Sequence, residues 1–188
     1  MIAGLIVFFS AHGYSAVTAG NPGGALKARL GAARYWAFHS LFSIAGLALI
    51  VWGYNLSRSS SALYITPFAI RWVSVGCLAL AFICLAATFT PPGAIKSWLK
   101  SPANAAVALW AFAHLLYGGD ATTLLLFGSF FVYGVVGTAV AIRQKPAKHV
   151  KVDVKGDSLA IVFGLAFFAL FIKGLHFWLL GIVPNLPF

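Results

Sequence analysis

Residues 104–118, NAAVALWAFAHLLYG, form an apolar run that carries His114 in its second half and stops at Gly118-Gly119-Asp120. Thr122-Thr123-Leu124 then opens another apolar run. An ionisable group inside a membrane segment is costly to bury, and by default it marks a functional site. The run is short for a helical span, which needs roughly 20 apolar residues (range about 17–25). It reads as half of a helical hairpin whose Gly-Gly-Asp turn lies at or just inside the membrane interface. Non-helical backbone at that depth survives only where protein or water covers it. The paired glycines argue against one continuous helix across both runs.

Five more apolar runs flank this one, giving expected spans at 2–19, 35–56, 67–90, 104–118, 121–142 and 159–182. The expected fold is an all-α polytopic membrane bundle of about six transmembrane helices in a single integral-membrane domain, 1–188. Composition agrees: 61% of residues are hydrophobic and 9% are charged, where soluble domains carry about 25% charged residues. The first run lacks a basic leader and a convincing cleavage site, so it reads as a retained helix and not as a secretory signal. Cys77 and Cys84 lie on one apolar segment about 10 Å apart along a helix axis, too far for a disulfide. They read as packing residues.

The formal charge of +10 does not indicate nucleic acid, because the basic residues sit in short connections and form no patch. With six spans, one side carries Lys27, Arg29, Arg34, Lys96, Lys100, Arg143, Lys145, Lys148, Lys151 and Lys155, and the other only Arg58 and Arg71. The positive-inside rule then puts the basic loops in the cytoplasm and both termini on the non-cytoplasmic side. Trp98 and Trp178 suit an interfacial aromatic belt. Arg34 and Arg71 suit snorkelling to headgroups. The expected location is the bacterial inner membrane, with lipid as the immediate partner.

The loops leave little room for a soluble catalytic domain. They hold no phosphate-binding glycine loop, Cys-x-x-Cys, His-Glu-x-x-His or serine nucleophile elbow. The chain has only three acidic residues. Asp120 suits a helix N-cap, so chemistry falls to the histidines. His149 lies in a basic loop and reads as solvated. At 1.5 Å per residue, His12 and His114 come from opposite faces to a similar depth near the midplane. His39 lies closer to the inner surface and His176 closer to the outer one. Two midplane imidazoles suit axial ligation of a haem iron. Small residues beside them (Gly13 and Ala16; Ala111 and Gly118) leave room for a macrocycle, but they equally suit helix packing. Spacing alone leaves haem ligation and interhelical hydrogen bonding both open. Lys173, inside the last span, can approach a haem propionate or snorkel.

The run Leu109-Trp110-Ala111-Phe112-Ala113-His114-Leu115-Leu116-Tyr117-Gly118-Gly119-Asp120, followed by Leu124-Leu125-Leu126-Phe127-Gly128-Ser129-Phe130, resembles the NnrU membrane-protein family. Weaker agreement comes from the His12 region, Leu30-Gly31, Ile44-Ala45-Gly46, Val51-Trp52-Gly53-Tyr54 and Leu175-His176-Phe177-Trp178-Leu179. A related branch is the haem-dependent 15-cis-zeta-carotene isomerase. The resemblance implies haem b (iron) with His12 and His114 as metal ligands, and a link to nitrite and nitric oxide respiration. Ala111 stands where the isomerase has a cysteine, and Lys100-Ser101-Pro102 where many relatives have a basic residue, His and Pro. Both departures favour the denitrification-linked branch.

The expected function is a bis-His haem b membrane protein of nitrogen-oxide metabolism, with a redox or respiratory partner. The cofactor-binding residues expected are His12, His114, Ala111, Gly118, Lys173 and His176. One alternative is a haem-dependent cis-trans isomerase acting on a polyene; another is a non-catalytic assembly factor or accessory subunit.

Overall fold

The computed structural model describes residues 1–17, 24–57, 61–144 and 153–184. His149, Arg58, Lys145, Lys148, Lys151, the end of the first expected span at 18–19 and the side chain of Ala16 lie outside the described residues. The described chain is helical: α1 (Ile2–Val17), α2 (Gly24–Leu30), α3 (Ala32–Ser57), α4 (Ile70–Phe89), α5 (Ala94–Leu99), α6 (Pro102–Leu115), α7 (Ala121–Gln144) and α8 (Val154–Leu170). A π turn, Phe171–Leu175, then leads into α9 (His176–Leu180).

Four of these are long and apolar enough to cross a membrane: α3, α4, α7 and the continuous stretch Val154–Leu180, with hydropathies of 1.6 to 2.2. Their large apolar side chains point outward, as with Ile44, Trp52, Val162 and Phe163. A soluble protein could not tolerate such a surface, so the chain is a membrane protein. Helix α1 has 16 residues and α6 has 14. At 1.5 Å per residue α6 reaches about 21 Å, short of a hydrocarbon core of about 30 Å. Trp98 and Trp178 are both exposed, as interfacial anchors require.

Contacts sort the chain into two compact units. One comprises Met1–Ser61 with Asp120–Leu126; the other comprises Ala62–Gly119 with Phe127–Phe188. In the first unit α1 packs along α3. The crossing is close because glycine supplies it: a Cβ on Gly46 would fall 2.8 Å from the Phe8 nitrogen, and one on Gly4 would fall 2.6 Å from the Ile50 nitrogen. Without a hydrophobic drive between helices in lipid, small residues that let backbones touch carry the association. Helix α7 starts here. Asp120, buried, accepts from the Thr123 N–H at 2.8 Å. This is the expected N-cap, satisfying one of the four unpaired donors of a helix start. Thr122 Oγ1 donates to the Ser57 carbonyl (2.8 Å), and the Tyr54 and Thr123 hydroxyls bond at 3.2 Å.

In the second unit α4 packs against both α6 and α8. Gly164 of α8 lies on the α4 backbone, where a Cβ would come within 2.6 Å of Ile83 Cα. Phe82 is surrounded by Phe167, Phe168 and Phe171 at ring-centroid distances of 5.4, 5.7 and 5.4 Å. Cys77 and Cys84 are free thiols. Helix α5 was not expected from the sequence. Its first amides, Ala94 and Ile95, donate to the Asp157 carboxylate at 2.7 and 3.1 Å. Lys96 Nζ donates to the Thr88 and Thr90 carbonyls at 3.0 and 2.7 Å.

Candidate functional site

His114 sits in the last turn of α6, and the sequence around it fixes its ring in three ways. Its Nδ1 lies 2.8 Å from the Trp110 carbonyl one turn earlier. A carbonyl only accepts, so Nδ1 carries the proton and the lone pair of the neutral ring is on Nε2. Phe127 stacks on the imidazole at 4.4 Å and 16°, while Trp110 flanks it at 5.1 Å. Metal-bound histidines have this outer arrangement, with the remote N–H held by a carbonyl so that the ligating nitrogen is fixed.

The end of α6 is equally well held. Its last carbonyls, which have no partner within the helix, receive three hydroxyls: Ser74 to Ala113 (2.6 Å), Tyr64 to Leu115 (2.8 Å) and Thr66 to Leu116 (2.6 Å). Tyr64 lies outside the spans, and burial pushes its phenol above the ordinary value. Gly118 turns the chain with φ +85°, and a side chain there would meet the Tyr64 carbonyl at 2.9 Å. Gly119 then forms a short bridge with the segment ahead of α4: Leu63 N donates to Gly119 O (2.9 Å) and Gly119 N to Tyr64 O (3.2 Å). The expected turn after His114 is therefore covered by protein, as non-helical backbone in a membrane must be.

His114 faces a cavity of about 240 Å³ inside the second unit. Trp110 and Tyr117 line it beside His114, Leu78 and Phe82 come from α4, and Phe168, Phe171, Ile172 and His176 come from the C-terminal helix. The chain end also lines it. Gly181 ends α9 in the left-handed conformation (φ 68°), and Ile182, Val183 and Pro184 fold back against the cavity. His176 Nδ1 lies 2.8 Å from the Ile182 carbonyl, so this ring too carries its lone pair on Nε2. His114 and His176 line the same cavity.

His12 belongs to the first unit and repeats the local arrangement. Its Nδ1 lies 3.0 Å from the Phe8 carbonyl, and it stacks on the Phe8 ring at 4.0 Å and 15°. Its ring neighbour there is His39, at 4.9 Å. His39 lines a groove of about 380 Å³ with Tyr14, Tyr35, Phe38 and Phe42.

The other expected site residues fall elsewhere. Ala111 is fully buried in the packed part of α6, Gly118 serves the turn, and neither lines the cavity. Lys173 is exposed within the π turn. Arg71, expected at headgroups, is half-buried. Its Nε is buried with no hydrogen-bond partner among the described residues, and the guanidinium lies near Phe68 and beside Tyr117. Spacing gave no sign of Arg71 or the folded-back tail. The shared aromatic at i−4, Phe8 before His12 and Trp110 before His114, was a usable signal.

Among the described residues no group of three or more His, Cys, Asp or Glu could hold a bare metal ion. A haem iron needs only one or two protein ligands, and the donor set fits that demand. So does Arg71, whose unpaired buried donor suits a carboxylate such as a propionate. The volume fits only in part. Ligand pockets span about 300–1,000 Å³, so a macrocycle on His114 would extend past the cavity.

No curated protein and no solved structure matches the chain. The family profile described as NnrU protein matches residues 1–184, essentially all of it, and the chain belongs to the NnrU family.

Proposed function

We propose that this NnrU-family chain is a haem b protein of the bacterial inner membrane, working in nitrite and nitric oxide respiration beside a redox partner or respiratory complex. One observation carries the reading: the Trp110 carbonyl fixes the Nδ1–H of His114 and leaves Nε2 as a donor in an aromatic-lined cavity. Haem supplies a one-electron Fe(III)/Fe(II) couple when bound. The chain's own residues do the rest. Trp110 and Phe127 hold the imidazole, and Phe82 and Phe171 keep water from it. Arg71 offers positive charge beside Tyr117. In this reading the bundle crosses six times with both ends outside. A polyene isomerase is disfavoured, because the position of its extra thiol is Ala111, which is fully buried.

The test is a reduced-minus-oxidised spectrum of the detergent-purified protein. Soret and α bands that vanish in His114→Ala support haem. Their absence from the wild type overturns it and favours an accessory subunit. A reporter fused after Lys27 should read cytoplasmic and one after Ser61 external; the reverse sinks the orientation.

A further inference from the structure

We infer that His114 and His176 act together as a two-imidazole donor set for one metal centre, and that the π turn Phe171–Leu175 exists to bring His176 to it. The inference rests on the haem reading only for what the metal is.

In a regular α-helix, advancing about 100° per residue, residues five apart point roughly 140° away from each other. Phe171 and His176 would then face different surroundings. The i→i+5 hydrogen bond of a π turn brings the fifth residue back almost above the first. Here the His176 N–H donates to the Phe171 carbonyl, and the two rings meet edge-on at 5.6 Å. Both line the cavity that His114 enters from the other side. Single π turns within α-helices occur often at functional sites, where a register shift re-aims one side chain.

The two rings are prepared in the same way. Each donates Nδ1–H to a backbone carbonyl at 2.8 Å, the Trp110 oxygen for His114 and the Ile182 oxygen for His176. Both therefore keep the Nε2 lone pair, the atom that a first-row transition metal takes from imidazole. The folded-back chain end is a positioning element for His176. Gly181 supplies the reversal that its carbonyl partner needs.

The experiment has two arms. In the first, protein from haem-deficient cells is titrated with Cu²⁺ and read by electron paramagnetic resonance. Wild type should show coupling to two imidazole nitrogens. His114→Gln and His176→Gln should each show one, and His12→Gln should still show two. Deleting Gly174, whose surroundings are open, leaves Phe171 and the histidine four apart on one face of a regular α-helix and should keep both nitrogens; inserting one alanine after Gly174 turns His176 away from the cavity and should behave like His176→Gln. A His176→Gln signal unchanged from wild type, or an alanine insertion after Gly174 that keeps both nitrogens, overturns the inference. In the second arm, haem-replete protein is examined by absorption. If haem binds, the low-spin spectrum should become high-spin in His176→Gln and stay low-spin in His12→Gln. Haem absent with the two-nitrogen copper site present refutes the haem reading alone. Haem present with His176→Gln unchanged refutes the donor pair alone.

Discussion

The two units hold one histidine arrangement in two different settings. In each, an aromatic residue sits one turn before a histidine, its carbonyl takes Nδ1–H, and an aromatic ring stacks within 4.4 Å on the imidazole. A second histidine lies nearby in each, His39 beside His12 and His176 beside His114. What differs is the enclosure. In the first pair His39 lines a groove with exposed Phe38 and Phe42 on its wall. The second shares a smaller cavity lined by three helical elements and the chain end. A local sequence rule can thus tune an imidazole, but only tertiary walls turn it into a site.

The largest expected difference between the units is in cofactor content. His114→Ala should lower bound haem per protein at least tenfold, while His39→Ala should leave it within twofold, both read by pyridine haemochrome. Equal loss from both would erase the distinction. Next comes Gly118→Ala, which forces a side chain into a left-handed conformation against a carbonyl. Such strain costs about 1–3 kcal/mol, and a lower melting temperature in detergent should reveal it. Gly46→Ala should cost a comparable or smaller amount, about 1–3 kcal/mol for overpacking, and it should loosen the first unit. Faster amide exchange in α1 and α3 but not in α4 and α8 is the expected pattern; uniform change would mean the units are not separate. Smallest is Asp120→Ala, which removes one N-cap worth typically about 1 kcal/mol and should fray only the start of α7.

Much of this was legible in the sequence. The apolar runs located the helices, because in lipid hydrophobic length is the main constraint on a helix. Asp120 was readable as a cap, since a carboxylate ahead of a helix has few other uses in so acid-poor a chain. The Gly118-Gly119 turn was readable for the same kind of reason. The histidine neighbours were not. Position along a run fixes depth, and depth matched His12 with His114. Rotation about the helix axis is set by packing, and the π turn at 171–175 changes it by an amount that no residue count contains. Within its own unit each of the two has a second histidine: His39 beside His12, and His176 on the cavity that His114 lines. The buried Nε of Arg71 was not readable, because hydropathy does not report what packs around a guanidinium. Helix α5 was missed because its start is held by Asp157, more than sixty residues later.

That last contact bears on how the protein is made. The amides that open α5 find their acceptor only on α8, so the connection between α4 and α6 cannot settle until the C-terminal helix has left the ribosome. A nascent chain stalled before Asp153 carries a short helix with its first donors unanswered. The order of synthesis therefore places the final closure of a mid-chain loop among the last events of assembly. Chains truncated at residue 150 should be cut by added protease between 91 and 101 where the full chain resists; equal resistance would show that α5 closes without its partner.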